Sequence, residues 1–243
     1  MTATKISAAL CMIAALSACA ANTGADDPLE PMNRQVHAFN RGLDAHVVRP
    51  VTRGMSSGES KGESGPAGKA VAAVGNFGSN LALPGKAVNH LLQGKPAPAV
   101  RTTFRFLVNS TLGFAGLLDP AAKDFALPEE DTDFGQTLAV WGVGEGPYLE
   151  LPLVGPSNLR DATGRIVDLV ADPVRPWLGR DTWLVGLGGR LVSKAGERGR
   201  FGDSVDSILH ESADSYTQTR LIWQQHRRYE LGQEGDYIDP YAE

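Results

Sequence analysis

The chain has 243 residues, with 28 acidic against 23 Lys and Arg side chains and a formal net charge of −5. That acidic balance excludes a nucleic-acid binder, because phosphate recognition demands a basic footprint. Only two cysteines are present, which excludes a disulfide-rich scaffold and any cysteine-built metal site.

The first element in chain order is a targeting segment. Lys5 is the only charge before the apolar run "ISAALCMIAAL", which is too short to span a bilayer as a mature helix. "LSAC", Leu16 to Cys19, then resembles the bacterial lipobox: residues 1–18 are expected to be a cleaved signal peptide and Cys19 the lipidated N-terminus. The competing reading is an ordinary secretory signal cut at a small-residue site. Cys11 leaves with the signal and Cys19 carries lipid, so the mature chain has no free thiol. Loss of Lys5 makes it one unit more acidic. Ala20 follows the cysteine where enteric inner-membrane lipoproteins carry a retention Asp, which favours the outer membrane. Residues 19–26 read as a tether, 27–231 as one domain of ordinary size, and 232–243 as a polar tail.

Helical periodicity dominates the domain. Residues 33–44 place Val36, Phe39, Asn40 and Leu43 on one face at spacings of three and four. A second helix covers 67–83 and ends before Pro84; a third covers 86–93 and stops at Gly94. Residues 98–110 present Val100, Phe104, Leu107 and Val108. Ser157 is the expected N-cap of a helix to Val170, with Gly164 a possible break. Helices over 182–192 and 204–228 complete the set, the latter divided near Ala213-Asp214-Ser215. The one alternating run, 148–153, contains Pro152 and reads as an extended or edge segment. The class is mainly α, with little or no β. Segments 67–83 and 183–192 are rich in small residues, which let helix backbones approach closely. Trp177 and Trp183, among Arg175, Arg180 and Arg190, suit a membrane interface; snorkelling arginines on a helix in water read the same way.

Enzyme motifs fail one by one. Gly142-Val143-Gly144-Glu145-Gly146 imitates a dinucleotide fingerprint, but the third glycine arrives one residue early, Pro147 follows, and no strand precedes it. GxSxG matches centred on Ser56 and Ser60 lie in a Gly/Ser-rich connector, where a nucleophile elbow needs a buried strand before it. The acidic run 129–133 lacks calcium-loop spacing and reads as a solvated turn. The five histidines show no paired spacing for zinc. The sequence is read as a non-enzyme with no metal and no cofactor beyond its covalent lipid.

The order and spacing of several motifs resemble the VacJ/MlaA outer-membrane lipoproteins. They run from "DPLEPMNRQVHAFNRGLDAHVVRPV" through "VNHLLQG" and "RFLVNSTLGFAGLLDPA" to "DFGQTLAVWGVGEGPYLELPLVGPSNLRD", covering most of 27–231. Departures are the Gly/Ser-rich connector at 56–65 and Ser215, where the family often has Pro. The resemblance implies a compact, ring-like multi-helix domain set mostly in the periplasmic leaflet of the outer membrane. It implies an amphipathic channel that removes outer-leaflet phospholipid and passes it to a periplasmic shuttle, maintaining lipid asymmetry, with a trimeric porin as partner. Within that frame 136–148 reads as a hinge, with Gly142, Gly144, Gly146 and Tyr148 as candidate gate residues and Tyr148 near headgroup depth; for each glycine a static turn is the rival reading. Asn40, Leu43 and Asp44 are candidate channel-wall or packing residues. Arg160 and Asp161 read as a local ion pair or cap before a lipid contact. The alternative function is a structural envelope lipoprotein that scaffolds porins without moving lipid.

Overall fold

The computed structural model describes residues 27–56 and 66–233. The signal peptide, Cys19, the tether, the connector serine Ser60 and most of the polar tail lie outside the described residues.

Helix α1 (Glu30–Leu43) starts with Pro31 in its first turn, where a missing N–H costs nothing. It runs through a π-helical turn, Asp44–Val48, into α2 (Arg49–Ser56). The sequence predicts two helices separated at Pro84, but α3 is continuous from Pro66 to Leu92 with Pro84 inside it. An internal proline costs about 3 kcal/mol. Here α3 packs lengthwise on α4 (Pro96–Thr111) and α8 (Arg180–Arg200), and that packing holds both halves in line. The short α5 (Pro120–Lys123) and α6 (Phe134–Val140) are capped by the carboxylates of Asp119 and Asp133. An antiparallel hairpin follows: β1 (Tyr148–Leu151) pairs with β2 (Gly155–Asn158), Tyr148 opposite Asn158 and Leu151 opposite Gly155. Pro152 sits just past β1, in the turn, so it leaves the ladder intact.

Helix α7 (Leu159–Val170) is capped by Asn158, whose side chain accepts the Asp161 N–H, and not by Ser157, which is fully buried in β2. Gly164 does not break α7. It lies against α6, where a Cβ would fall 2.3 Å from the Gly135 nitrogen. The same device sets the α3–α8 crossing: a Cβ on Gly78 would meet the Arg190 nitrogen at 2.4 Å, and one on Gly189 the Val74 oxygen at 2.3 Å. The last predicted helix is indeed divided, into α9 (Gly202–Asp206), a π turn Ser207–Glu211, and α10 (Ser215–Glu230), which Asp214 caps.

The interior is polar. The largest side chains withdrawn almost completely from solvent are Leu83, Asn33, Thr137 and Ser157, three of them polar. On α1 the buried positions are Asn33 and His37 while Phe39 is exposed, and on α4 they include Thr102, Arg105 and Asn109 while Val100, Phe104 and Leu107 face outward. The helical periods in the sequence are present, but their apolar faces are split: Val108 is buried and Val36 and Leu43 are half-buried, whereas Phe39, Val100, Phe104 and Leu107 are exposed. Burial of polar groups is tolerated only when each finds a partner, and here the partners come from neighbouring helices. No described helix is long and apolar enough to cross a membrane.

Candidate functional site

The glycine-rich segment after α6 is held at both ends. Gly142 (φ +84°) donates its N–H to the Ala139 carbonyl, and Val143 donates to Leu138, closing α6 with a Schellman motif. The Trp141 indole donates to the Leu92 carbonyl at 3.0 Å. Downstream, the carbonyls of Glu145 and Pro147 accept the Arg160 and Leu159 N–H groups, satisfying two orphan donors at the start of α7. Gly146 also takes a positive φ of 66°, whereas Gly144 does not. Residues 136–140 of the predicted hinge are therefore helix α6, and the part without regular structure is 143–147. Beneath it lies a small pocket of about 30 Å³, walled by Phe134, Leu138 and Val143 to Gly146 on one side and Leu159, Arg160, Thr163 and Val167 on the other.

Tyr148 is buried within the protein. Its hydroxyl donates to Glu150 at 2.6 Å and its ring meets Tyr216 and Trp223 edge-on, so the polar end is satisfied internally. Burial and the Glu150 carboxylate together push its hydroxyl well above the ordinary tyrosine value. The hairpin is clamped to α1 by asparagines. Asn33, 0% exposed, donates to the Tyr148 carbonyl (3.0 Å) and to Asp27, and accepts the Glu150 N–H (2.9 Å). Asn40 donates to the Leu151 carbonyl (2.9 Å) and accepts from Leu153 N–H (2.8 Å). Leu43, half-buried, ends α1.

His37 stands between Ser215 (Nε2 to Oγ, 3.0 Å) and Glu150 (Nδ1 to Oε1, 3.4 Å), the order of a serine–histidine–carboxylate relay. All three are buried, Ser215 to 6% exposure, so a substrate carbonyl has no approach to the hydroxyl. The trio ties α1, β1 and α10 together. It was invisible in the sequence, where its members stand at 37, 150 and 215.

Ion-pair networks tie the helices together further. Arg160 Nε lies 3.1 Å from Asp161 Oδ1, Asp161 Oδ2 lies 2.8 Å from Arg227 Nε, and Arg227 reaches Asp133 and Glu230. The expected Arg160–Asp161 pair is thus part of a junction of α6, α7 and α10. Asp44 joins a different cluster: Arg198 bridges Asp44 (2.8 Å) and Asp206 (2.6 Å), with Arg49 and His210 beside them. Asp44, Asp206 and His210 lie close enough to hold a cation, but the Arg198 guanidinium already occupies the space between the carboxylates. Burial pushes the Asp44 carboxyl up, and the bonds from Arg198 and His210 outweigh it, holding it below the ordinary range. The acidic run 129–133 is not merely solvated: Glu129 and Asp131 pair with Lys86, Glu130 with Arg101, and Asp133 with Arg227. Trp177 is 88% exposed and the Arg175 guanidinium lies over the Trp183 ring, whereas Arg190 turns inward to Gly78 and Asp172.

Fold and site define a class: a helical domain that gathers amide, hydroxyl and charged side chains inside and turns aliphatic ones outward. The chain belongs to the MlaA lipoprotein family, whose model matches residues 25–230. It is 34% identical, over 89% of its length and 82% of the relative's, to the intermembrane phospholipid transport system lipoprotein MlaA of Shigella flexneri, and equally to that of Escherichia coli K12. An uncharacterized protein of Rickettsia felis is 37% identical over 80% of this chain and 73% of its own. A solved chain, from work on the structural basis for maintenance of bacterial outer membrane lipid asymmetry, superposes with a TM-score of 0.69 at 30% identity, covering 85% of this chain and 99% of that one.

Proposed function

We propose that this protein is an outer-membrane lipoprotein, anchored through Cys19, that removes phospholipid from the outer leaflet and hands it to a periplasmic carrier. The domain sits mostly in the periplasmic leaflet, beside a trimeric porin, and performs no covalent chemistry. The observation that carries the reading is the inverted distribution of side chains. Phe114, Val100, Leu191 and Ile166 are all more than half exposed, while Asn33, Thr137, Asn158 and Asp161 are buried. In water such an exterior is unfavourable; against acyl chains it is not. A polar interior offers a headgroup the environment its tails cannot use. Moving a phospholipid unaided would expose roughly thirty methylenes at about 0.8 kcal/mol each, more than about 20 kcal/mol. A passive route has no direction of its own, so the partner that takes the lipid sets it. The names of the Shigella and Escherichia relatives support the same reading.

The gate in this reading is the irregular stretch 143–147, between the Schellman cap and the two bonds onto α7. Gly144 has neither a positive φ nor a capping bond, so it is the residue whose replacement stiffens the gate with least damage to the fold. The test labels phosphatidylethanolamine on intact cells with a non-permeant amine reagent, in a deletion strain complemented by wild type, Cys19→Ala or Gly144→Pro. Labelling that rises on deletion and is corrected by wild type alone supports clearance. Unchanged labelling on deletion leaves the alternative, a porin scaffold that moves no lipid.

A further inference from the structure

The pocket beneath residues 143–146 is lined in part by Arg160, a residue with an unmet side-chain donor. Arg160 has a side chain only 4% exposed, and its Nη2 has no hydrogen-bond partner. The reason lies in how Asp161 divides its oxygens: one meets Arg160 Nε, the other Arg227 Nε. Arg227 takes two further carboxylates, Asp133 and Glu230. The Arg160 fork is left half matched, and a buried guanidinium donor without an acceptor is costly. The rest of the wall is mostly apolar, from Phe134, Leu138, Val143, Leu159 and Val167. Glu145, the other charged residue of the lining, is exposed.

We propose that this pocket is a lipid subsite in which Arg160 Nη2 donates to an acceptor oxygen of a phospholipid's polar region, either the phosphate or a glycerol ester carbonyl. The inference rests on the transport reading above and names the group that the gate admits. A volume of about 30 Å³ holds an oxygen-bearing group, not a whole lipid. One wall of the pocket is the gate itself, Val143 to Gly146, and the other is α7. Outward movement of the loop enlarges the pocket and uncovers the unmet donor in one step. The apolar wall then lies alongside the first acyl carbons while the oxygen sits on Arg160. Return of the loop squeezes the group out again, as a transit site requires.

The test uses the full lipoprotein in lipid discs containing a photoactivatable phosphatidylethanolamine with its diazirine next to the ester. Cross-linked peptides are mapped by mass spectrometry. Label is expected on 143–146 and 159–167. A charged hydrogen bond is worth about tenfold to a hundredfold in occupancy, so Arg160→Gln is expected to lower the label there by at least about tenfold, and Arg160→Lys by less. Both substitutions disturb the Asp161 pair, so Val143→Phe, which fills the pocket from the loop side, serves as the second variant. Unfolding midpoints verify that each variant is folded. Competition by inorganic phosphate identifies the phosphate oxygen, and competition by dihexanoylglycerol the ester carbonyl. Competition by neither, or undiminished label in folded Arg160→Gln and Val143→Phe, overturns the subsite. The clearance assay on cells is independent of this result: a null deletion there defeats the transport reading, whereas intact clearance without pocket label defeats only the subsite.

Discussion

Asn33→Leu is the substitution that best separates a polar interior from an ordinary core. In a water-facing helical protein, leucine at a fully buried helix position is a mild change, and helix propensity favours it. Here Asn33 donates to the Tyr148 carbonyl at 3.0 Å and to the Asp27 carboxylate at 3.1 Å, and accepts the Glu150 N–H at 2.9 Å. The two neutral bonds contribute about 1 kcal/mol each and the bond to the carboxylate about 2, so the loss comes to about 4 kcal/mol. The backbone groups of Tyr148 and Glu150 are left buried beside an isobutyl group, which adds to the loss rather than offsetting it. Against a typical total of about 5–15 kcal/mol that is a large fraction. The assay is equilibrium unfolding of the purified lipoprotein in detergent micelles, with Val100→Ala on an outward face as the comparison. Asn33→Leu is expected to lose about 4 kcal/mol and Val100→Ala less than about 1. A loss below about 1 kcal/mol for Asn33→Leu refutes the asparagine clamp and the polar-core argument with it.

Further outcomes follow from single contacts. Gly189→Val places side-chain atoms where the Val74 carbonyl stands, so it is expected to lower the unfolding midpoint sharply or abolish accumulation, whereas Gly188→Ala, with open space around its Cβ, accumulates normally. Asp161→Ala strands the buried Arg160 guanidinium and takes one of three carboxylates from Arg227, so it is expected to cost about 3–5 kcal/mol by the same unfolding assay; a cost near zero contradicts the junction drawn between α6, α7 and α10. Gly142→Ala forces an L side chain into the left-handed region and is expected to cost about 1–2 kcal/mol, with Gly144→Ala near neutral. The Asp44 carboxyl titrates below its unfolded value, so its contribution is complete above about pH 4 and is lost as the pH falls through its lowered value. Stability measured down the acid limb is expected to fall more steeply for wild type than for Asp44→Asn, and parallel limbs contradict the assignment.

Most helices were legible because a spacing of three and four survives any environment. What periodicity reports, however, is that two faces differ, not which one turns inward. Phe39 and His37 lie on opposite faces of α1, and only the partners from β1 and α10 decide that His37 is the buried one. Pro84 was read as a terminus because the local rule is strong, and tertiary packing along α4 and α8 overrode it. The strand Gly155–Asn158 has no strand composition at all and is extended because the partner Tyr148–Leu151 recruits it. Among site residues, Gly146 carried a signal of its own, since glycine beside proline marks unusual backbone, and Gly142 one as part of a run of alternating glycines. Arg160 and Asp161 were legible as neighbours. Their third partner, Arg227, lies 66 residues from Asp161 and could only be found in space. The same holds for Arg198, which links Asp44 and Asp206 from the end of α8.

The claim on which the rest depends is that the outward aliphatic faces meet acyl chains. Single cysteines at Val100, Phe114 and Leu191, each more than 60% exposed, can carry nitroxide labels without interference if Cys19 is lipidated. With the lipoprotein in lipid discs, accessibility of each label to dissolved oxygen is compared with accessibility to a water-soluble nickel chelate. The account predicts that all three favour oxygen, while a label at the exposed polar position Lys123 favours nickel. Nickel preference at Val100, Phe114 and Leu191 would place those faces in water and contradict the account.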